Sequence, residues 1–505
     1  MKDKQVWKNM FFSIVSFLVT YTINFFLTPY ISENLPGTYG YVKLSNDIVS
    51  YAQLITLALN SMAGRFISIE FNRGDIKKAK AYFSSVLWAN IGMVLLLFVP
   101  ASIVIFKLDA IFNVDLLLIR DVKFLFICTF SSFFVGIIFS VYSLATFIKN
   151  RLDYEYEINM VTSLIRLALL VVLFGFFGKK VYFIGMVALI VTTVKAILQY
   201  VIKKKLLPEL KVDYKMVDIK LVVQLVSTGI WNTIQGLGQI LLDGLDTLIS
   251  NILINPVAMN NISFAKTMPG IIASLLNTMA GVFSPKYTIL YAKGEEEELK
   301  RSTKQTMIFL SLVISIPVGI IIAVGREFYS LWIPSENISE IYLLSTLSSL
   351  VYVVSTPMNA VYNLFTVKNR VRYLALVTLG SGIVSTILVL ILVQYTGFGV
   401  YAIAGCSAGI GIIRNVFLVA PYAANMMGYS RYTFYPEILK SILSVSFVYM
   451  IATVTKHVVH IDTWISFIIA CLIIVCLSLI VNLTVLFNRN QKQRLLLQIK
   501  EKVEK

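Results

Sequence analysis

Nine ionisable residues fall inside apolar stretches long enough to cross a bilayer: Lys43, Asp47, Arg65, Arg166, Lys195, Asp243, Asp246, Lys266 and Arg414. An ionisable side chain at the centre of a membrane helix costs roughly 2.5–3.5 kcal/mol on insertion scales. Such residues therefore turn toward a protein interior or a water-filled cavity. Their types divide the chemistry. Lys43, Lys266, Arg65, Arg166 and Arg414 are candidate cavity cations for an anionic substrate. Asp47, Asp243 and Asp246 are candidates for balancing charge or holding a coupling H⁺ or Na⁺. Lys43 and Asp47 sit one helical turn apart and can pair.

Polar residues extend these positions into stripes. Lys43, Asn46, Ser50, Gln53, Asn60 and Gly64 recur at helical spacing, as do Asn232, Gln235, Gln239, Asp243 and Asp246. A third stripe carries Ser263, Lys266, Gly270, Ser274, Asn277 and Gly281, and Pro269-Gly270 is expected to kink it. Two readings stand. The stripes line a hydrated cavity, with Asn46, Gln53, Asn60, Asn232, Gln235, Gln239 and Asn277 as its polar lining, or they are helix–helix glue of the kind small and amide residues supply in membranes. The charges favour the cavity, since neutral packing does not need Lys43, Asp243, Asp246 or Lys266. Arg65 and Lys195 lie within reach of the inner surface and can snorkel, whereas Arg166 and Arg414 lie deeper. Catalysis finds no support. The two histidines, His457 and His460, flank a loop, and neither a Walker-type phosphate loop nor a metal-ligand cluster is present. No catalytic residue, no metal and no cofactor are expected.

The elements that position these residues follow from composition. The chain has 505 residues, 57% of them hydrophobic and only 14% charged. That balance excludes a soluble protein of this size. Apolar runs of about 20 residues, the length that spans the hydrocarbon core, recur along nearly the whole chain. Fourteen helices are expected, at 9–31, 42–66, 81–106, 121–147, 158–178, 182–202, 221–252, 258–284, 304–325, 339–365, 373–395, 400–425, 437–457 and 465–487. The fold class is an all-α integral membrane protein with no soluble domain. Net charge is +17, yet the basic residues sit in short clusters between apolar runs, so orientation in a membrane explains them and nucleic acid is not an expected partner. Cys128, Cys406, Cys471 and Cys476 all lie in apolar segments and read as small buried hydrophobes. Trp332, in Leu331-Trp332-Ile333-Pro334, reads as an interfacial anchor.

Internal order is visible too. Asn72-Arg73-Gly74-Asp75 returns as Ala292-Lys293-Gly294-Glu295, Lys149-Asn150-Arg151 as Lys368-Asn369-Arg370, Pro208-Glu209-Leu210 as Pro436-Glu437-Ile438, and Tyr41-Val42-Lys43 as Phe264-Ala265-Lys266. Four matches in one order, at offsets of about 220 residues, indicate a repeat of six helices. Two pseudo-symmetric six-helix bundles follow, over 1–205 and 221–430, joined by a cytoplasmic linker at 206–220. Two extra helices occupy 431–487 and a tail 488–505, the tail either an amphipathic surface helix or simply solvated. An even number in each half gives both bundles the same orientation, with a substrate path expected between them. Lys2/Lys4/Lys8, Arg73/Lys77/Lys78/Lys80, Lys203/Lys204/Lys205 and the basic tail from Arg489 to Lys505 fall on one side, which places both termini in the cytoplasm.

This pattern resembles the multidrug/oligosaccharidyl-lipid/polysaccharide exporter superfamily, and within it the Wzx-type polysaccharide-repeat flippases. The likeness is carried by Asn72-Arg73-Gly74-Asp75, Lys149-Asn150-Arg151, Pro208-Glu209-Leu210, Asp246-Thr247-Leu248-Ile249-Ser250-Asn251 and Phe283-Ser284-Pro285, and by the 6+6+2 plan. It implies alternating access and an undecaprenyl-pyrophosphate-linked oligosaccharide carried from the cytoplasmic to the outer leaflet of a bacterial inner membrane. It also implies membrane lipid, a polysaccharide polymerase and glycosyltransferases as partners. A cation-coupled multidrug exporter of the same superfamily is the alternative, and a membrane enzyme such as a sugar polymerase is a third possibility that the short loops disfavour.

Overall fold

The computed structural model describes residues 2–485, apart from 284, 285, 288, 289, 292 and 369. The expected tail at 488–505 and the Ser284-Pro285 step of the expected motif lie outside the described residues. Within them the chain is helical throughout, in the order α1 (Lys2–Asn34), α2 (Tyr39–Asn72), α3 (Ile76–Phe106), α4 (Ile119–Ile148), α5 (Leu152–Phe176) and α6 (Tyr182–Leu206). Next comes α7, in two arms (Ile219–Gly244 and Asp246–Ile254). It is followed by α8, also in two arms (Pro256–Ala265 and Thr267–Gly281), then α9 (Glu296–Trp332), α10 (Ile338–Val367) and α11 (Val371–Tyr395). The last are α12 (Val400–Met426), α13 (Tyr435–Val458) and α14 (Trp464–Val485). Among the described residues, 12 helices are long and apolar enough to cross a membrane, or 13 with the bent α7 counted as one span. Helix α8 accounts for the remaining expected span, as two shorter arms.

The chain forms two compact units, Met1–Ser263 and Phe264–Lys505. In the first, α2 packs with α3, α4 and α7, and α4 with α6. Leu27, Tyr41, Leu44, Leu125, Phe126 and Val187 build one apolar core, and Leu59, Ile67, Phe83, Val86 and Leu225 another. Helix α7 lies along α2 so closely that a Cβ on Gly229 would fall 1.9 Å from the Ala58 carbonyl oxygen. The segment at 206–220 is not a loose tether. Leu207 and Leu210 are fully buried, and the Asp213 and Asp218 amides donate to Ser84 and Ser85 on α3. The compact units thus divide between Ser263 and Phe264, whereas the sequence repeat divides at 206–220.

In the second unit α9 is the central element, packed with α10 and α13, around a core that includes Met307, Leu310, Ile314, Val361 and Phe365. Prolines inside its helices free carbonyls four residues upstream, because proline has no N–H to donate. Two of the freed groups find a side chain. The Ser441 hydroxyl donates to Val353, four residues before Pro357 (2.7 Å). The Tyr329 hydroxyl donates to Ala265, four before Pro269 (3.4 Å). Trp332 corrects the sequence expectation. It is 1% exposed and stacks on Phe328 (centroids 5.5 Å apart), so it is a core residue closing α9 and not an interfacial anchor.

Two of the four repeats, the tetrapeptide pair and the Lys149-Asn150-Arg151 pair, have one physical cause. Helix α2 ends with Gly74 at φ 85°, the Gly74 amide donating to Phe71 and the Asp75 amide to Glu70. The turn before α9 repeats this with Gly294 at φ 71°, Gly294 donating to Tyr291 and Glu295 to Leu290. Both are helix C-terminal turns in which a residue free of Cβ crowding enters the left-handed region. Asn150 does the same at φ 53°, with the Arg151 amide on Thr146, and the Arg370 amide bonds Phe365 in the matching place. Around the first of these turns, Arg151 and Lys8 converge on Asp153, whose side chain is fully buried (Nε–Oδ1 2.9 Å, Nζ–Oδ2 2.7 Å). That carboxylate raises the Arg151 guanidinium above its usual range, through hydrogen bonding.

Candidate functional site

The first unit gathers most of its intramembrane charge around the break in α7. Lys43 and Asp47 pair at 2.7 Å along α2, the lysine side chain 39% exposed and the aspartate 13%. One turn on, the Tyr51 hydroxyl donates to the Gly244 carbonyl at 2.6 Å. That carbonyl is released because α7 bends by 43° at Leu245, between π-helical turns at Ile240–Gly244 and Ser250–Ile254. Glycine is a weak helix former, and a freed carbonyl at membrane depth needs a partner; Tyr51 supplies it. Asp47 and Asp246 both act electrostatically on the Tyr51 phenol. Asp246 is buried, and Asp243, half-buried, accepts from the Gln239 amide at 2.9 Å. Wide π-turns inside helices recur at functional sites.

The polar stripes are only partly gathered into this region. Asn46 and Ser50 back-bond to the α2 carbonyls of Val42 and Asn46, and Gln53 is exposed. Asn232 donates to Ser61 across the α2–α7 contact (3.2 Å), while Gln235 is half-buried. Asn60 turns the other way and exchanges hydrogen bonds with Asn90 on α3 (3.2 Å). Arg65 is exposed near the end of α2. Lys195 binds Asn159 (2.8 Å) and Glu155 (3.2 Å) on α5. In the second unit, Lys266 is half-buried at the break between the two arms of α8, and Asn277 is exposed on the second arm.

The two deep arginines differ in surroundings. Arg166 on α5 donates Nη1 to Asn24 Oδ1 on α1 at 3.2 Å. It lines a cavity of about 200 Å³ walled by α2, α4 and α6, which also presents Asn46, Thr129 and Thr192. Arg414 opens a π-helical turn, Arg414–Val419, in α12. It is 7% exposed, its Nη2 donates to the Tyr362 hydroxyl at 3.4 Å, and Tyr362 in turn donates to Asn415. Sequence reading missed Asn24, Tyr51, Tyr362 and Asn415. All four are neutral residues whose roles arise from contacts distant in the chain. Nor did it find the clasp at the end of α7, where Asn113 and Asn251 exchange side-chain and backbone bonds at 2.6–3.0 Å.

No family model matches the chain. A protein of Bacillus subtilis (strain 168) described as "Uncharacterized membrane protein EpsK" is 26% identical over 457 residues, 90% of each chain. Among solved structures, an inward-facing multidrug resistance MATE transporter of the MOP superfamily aligns with a TM-score of 0.62 at 10% identity, covering 82% of this chain and 94% of its own. The eukaryotic MATE transporter AtDTX14 gives 0.62 at 13% identity, covering 88% and 99%. The lipid II flippase MurJ, in an inward closed conformation, gives 0.59 at 14% identity, covering 94% and 98%. The chain is therefore a multi-pass membrane protein with the MOP-superfamily transporter fold, the fold common to these exporters and to a lipid flippase.

Proposed function

We propose that this chain is a non-enzymatic flippase. It moves an undecaprenyl-pyrophosphate-linked oligosaccharide from the cytoplasmic to the outer leaflet of the bacterial inner membrane, for cell-surface polysaccharide synthesis. The observation that carries the reading is coverage. The flippase structure spans 94% of this chain, against 82% and 88% for the two MATE transporters, so the flippase plan leaves somewhat less of the sequence unexplained. The intramembrane lysines agree with an anionic cargo. In this reading Lys43 and Lys266 meet the pyrophosphate, and amides such as Asn46, Gln53, Asn232 and Gln235 bond the sugars. Asp47, Asp243 and Asp246 take the coupling ion, H⁺ or Na⁺. Because Lys43 already holds Asp47 at 2.7 Å, a phosphate must displace that carboxylate. An Asp47 that has taken up the coupling ion no longer holds the lysine by charge, which frees Lys43 for the phosphate.

The exporter structures score slightly higher in overall superposition, which keeps a multidrug exporter as the second reading. A deletion strain separates the two. Loss of surface polysaccharide, with lipid-linked oligosaccharide accumulating on the cytoplasmic face and drug susceptibility unchanged, is the expected outcome. Hypersensitivity to cationic drugs with normal surface glycan would favour the exporter.

A further inference from the structure

Arg166 poses a question that the transport reading leaves unanswered. It is a cation within a membrane helix, and among the described residues no carboxylate lies within 4.0 Å of it. Among the described residues its one side-chain hydrogen bond, to Asn24, uses a single nitrogen. Its other nitrogens are not among the buried polar atoms sealed off without a partner, a condition that Arg414 Nε does meet. Arg166 is half-buried and lines a cavity, whereas Arg414 is 7% exposed.

The cavity has a volume of about 200 Å³. It is large enough for several waters or for a phosphate-sized ion with part of its shell. Of its neutral polar lining, Thr129 spends its hydroxyl hydrogen on the Leu125 carbonyl (2.9 Å), and Asn46 offers a donor. The Asn46 amide gives one hydrogen to the Val42 carbonyl and keeps a second. The Thr192 hydroxyl shares a hydrogen bond with Ser132 (2.8 Å). The other walls are apolar, contributed by α2, α4 and α6, and an apolar wall strengthens an ion pair formed against it. A cation and the second Asn46 amide hydrogen beside a partly open cavity, with no carboxylate within 4.0 Å of the cation among the described residues, define a binding site whose ligand brings the negative charge.

We propose that this cavity, inside the first unit, is an anion site in which the Arg166 guanidinium binds a phosphate-class oxyanion. The planar fork of arginine matches two oxyanion oxygens at once, which is why an oxyanion suits it better than a halide. The phosphate comes either from solution or from the head group of an anionic lipid. The assignment concerns binding alone and stands whatever cargo the protein carries.

The test is thermal unfolding of the full chain in nanodiscs of zwitterionic lipid, with potassium phosphate titrated against potassium chloride at constant ionic strength. Phosphate is expected to raise the midpoint saturably, chloride to do little, and Arg166→Gln to abolish the rise. Arg166→Lys keeps the charge but loses the fork, and is expected to weaken phosphate binding about tenfold, equivalent to ~1.4 kcal/mol. Arg414→Met is expected to keep the full response. If nanodiscs containing phosphatidylglycerol raise the midpoint without phosphate and erase the response to it, with both effects lost in Arg166→Gln, the head group is the source. Should Arg166→Gln fail to fold, binding of radiolabelled phosphate to wild type and Arg166→Lys decides. Equal phosphate binding by these two proteins, equal stabilisation of wild type and Arg166→Gln, or no response of wild type to phosphate or phosphatidylglycerol, overturns the proposal.

Discussion

Arg166 and Arg414 are the same chemical group in two different settings. Each is a guanidinium within an apolar helix, and neither has a carboxylate within reach among the described residues. In the first unit the arginine borders open volume and has one fixed partner, Asn24. In the second it is sealed into a π-turn, with Tyr362 joining it to Asn415 and with the Arg414 Nε and Asn415 Nδ2 atoms left without partners. Open volume beside a cation invites a ligand, whereas tight packing around one makes it part of the fold. Charge in a membrane span is therefore not by itself a mark of substrate binding; the space around it decides.

Four substitutions test that contrast, and the first fixes its scale. Gly229→Val would force a side chain into the Ala58 carbonyl where α7 meets α2, and is expected to lose about 3 kcal/mol of stability, the upper range for overpacking; unchanged thermal unfolding in detergent would mean that this contact is not formed. Tyr362→Phe strands Asn415 and Arg414 in a dry site, so a loss of about 1–3 kcal/mol is expected. A wild-type midpoint there would show that water reaches Arg414 and that the two settings are alike. Arg414→Met removes a poorly satisfied buried charge while keeping the volume, and is expected to be neutral or stabilising by about 1 kcal/mol. Strong destabilisation would instead assign Arg414 a partner. The smallest effect is expected for Asn24→Ala, at most about 1 kcal/mol, because water in the cavity can take over the vacated guanidinium hydrogen. A loss as large as that of Tyr362→Phe would show the Arg166 site to be dry.

Much of the helix plan was legible because a membrane helix needs a long apolar run whatever it packs against. The turns at Gly74, Gly294 and Asn150 were legible as repeats because these residues answer a local backbone demand. The loosening of α8 was legible from Pro269-Gly270 for the same reason. The bend in α7 was not, since it depends on Tyr51 reaching the Gly244 carbonyl, 193 residues away. The α2 stripe was read as one polar face, yet Asn60 turns to Asn90 on α3. A helix inside a bundle has several protein-facing sides, and periodicity cannot tell them apart. Trp332 looked like an anchor because Leu331-Trp332-Ile333-Pro334 reads as an outer loop, but Phe328 and Tyr329 on its own helix draw it into the core. Asn24 could not have been chosen as the partner of Arg166, 142 residues away.

The most direct measurement is translocation in proteoliposomes that contain only the purified chain and a labelled undecaprenyl-pyrophosphate oligosaccharide. The wild-type protein should move the lipid to the far leaflet faster than protein-free vesicles do. The Lys43→Ala/Lys266→Ala double variant, folded and incorporated to the same level, should be slower by about tenfold or more, the worth of ~1.4 kcal/mol of lost anion binding. Translocation by the double variant at the wild-type rate, or none by the wild type, would contradict the account.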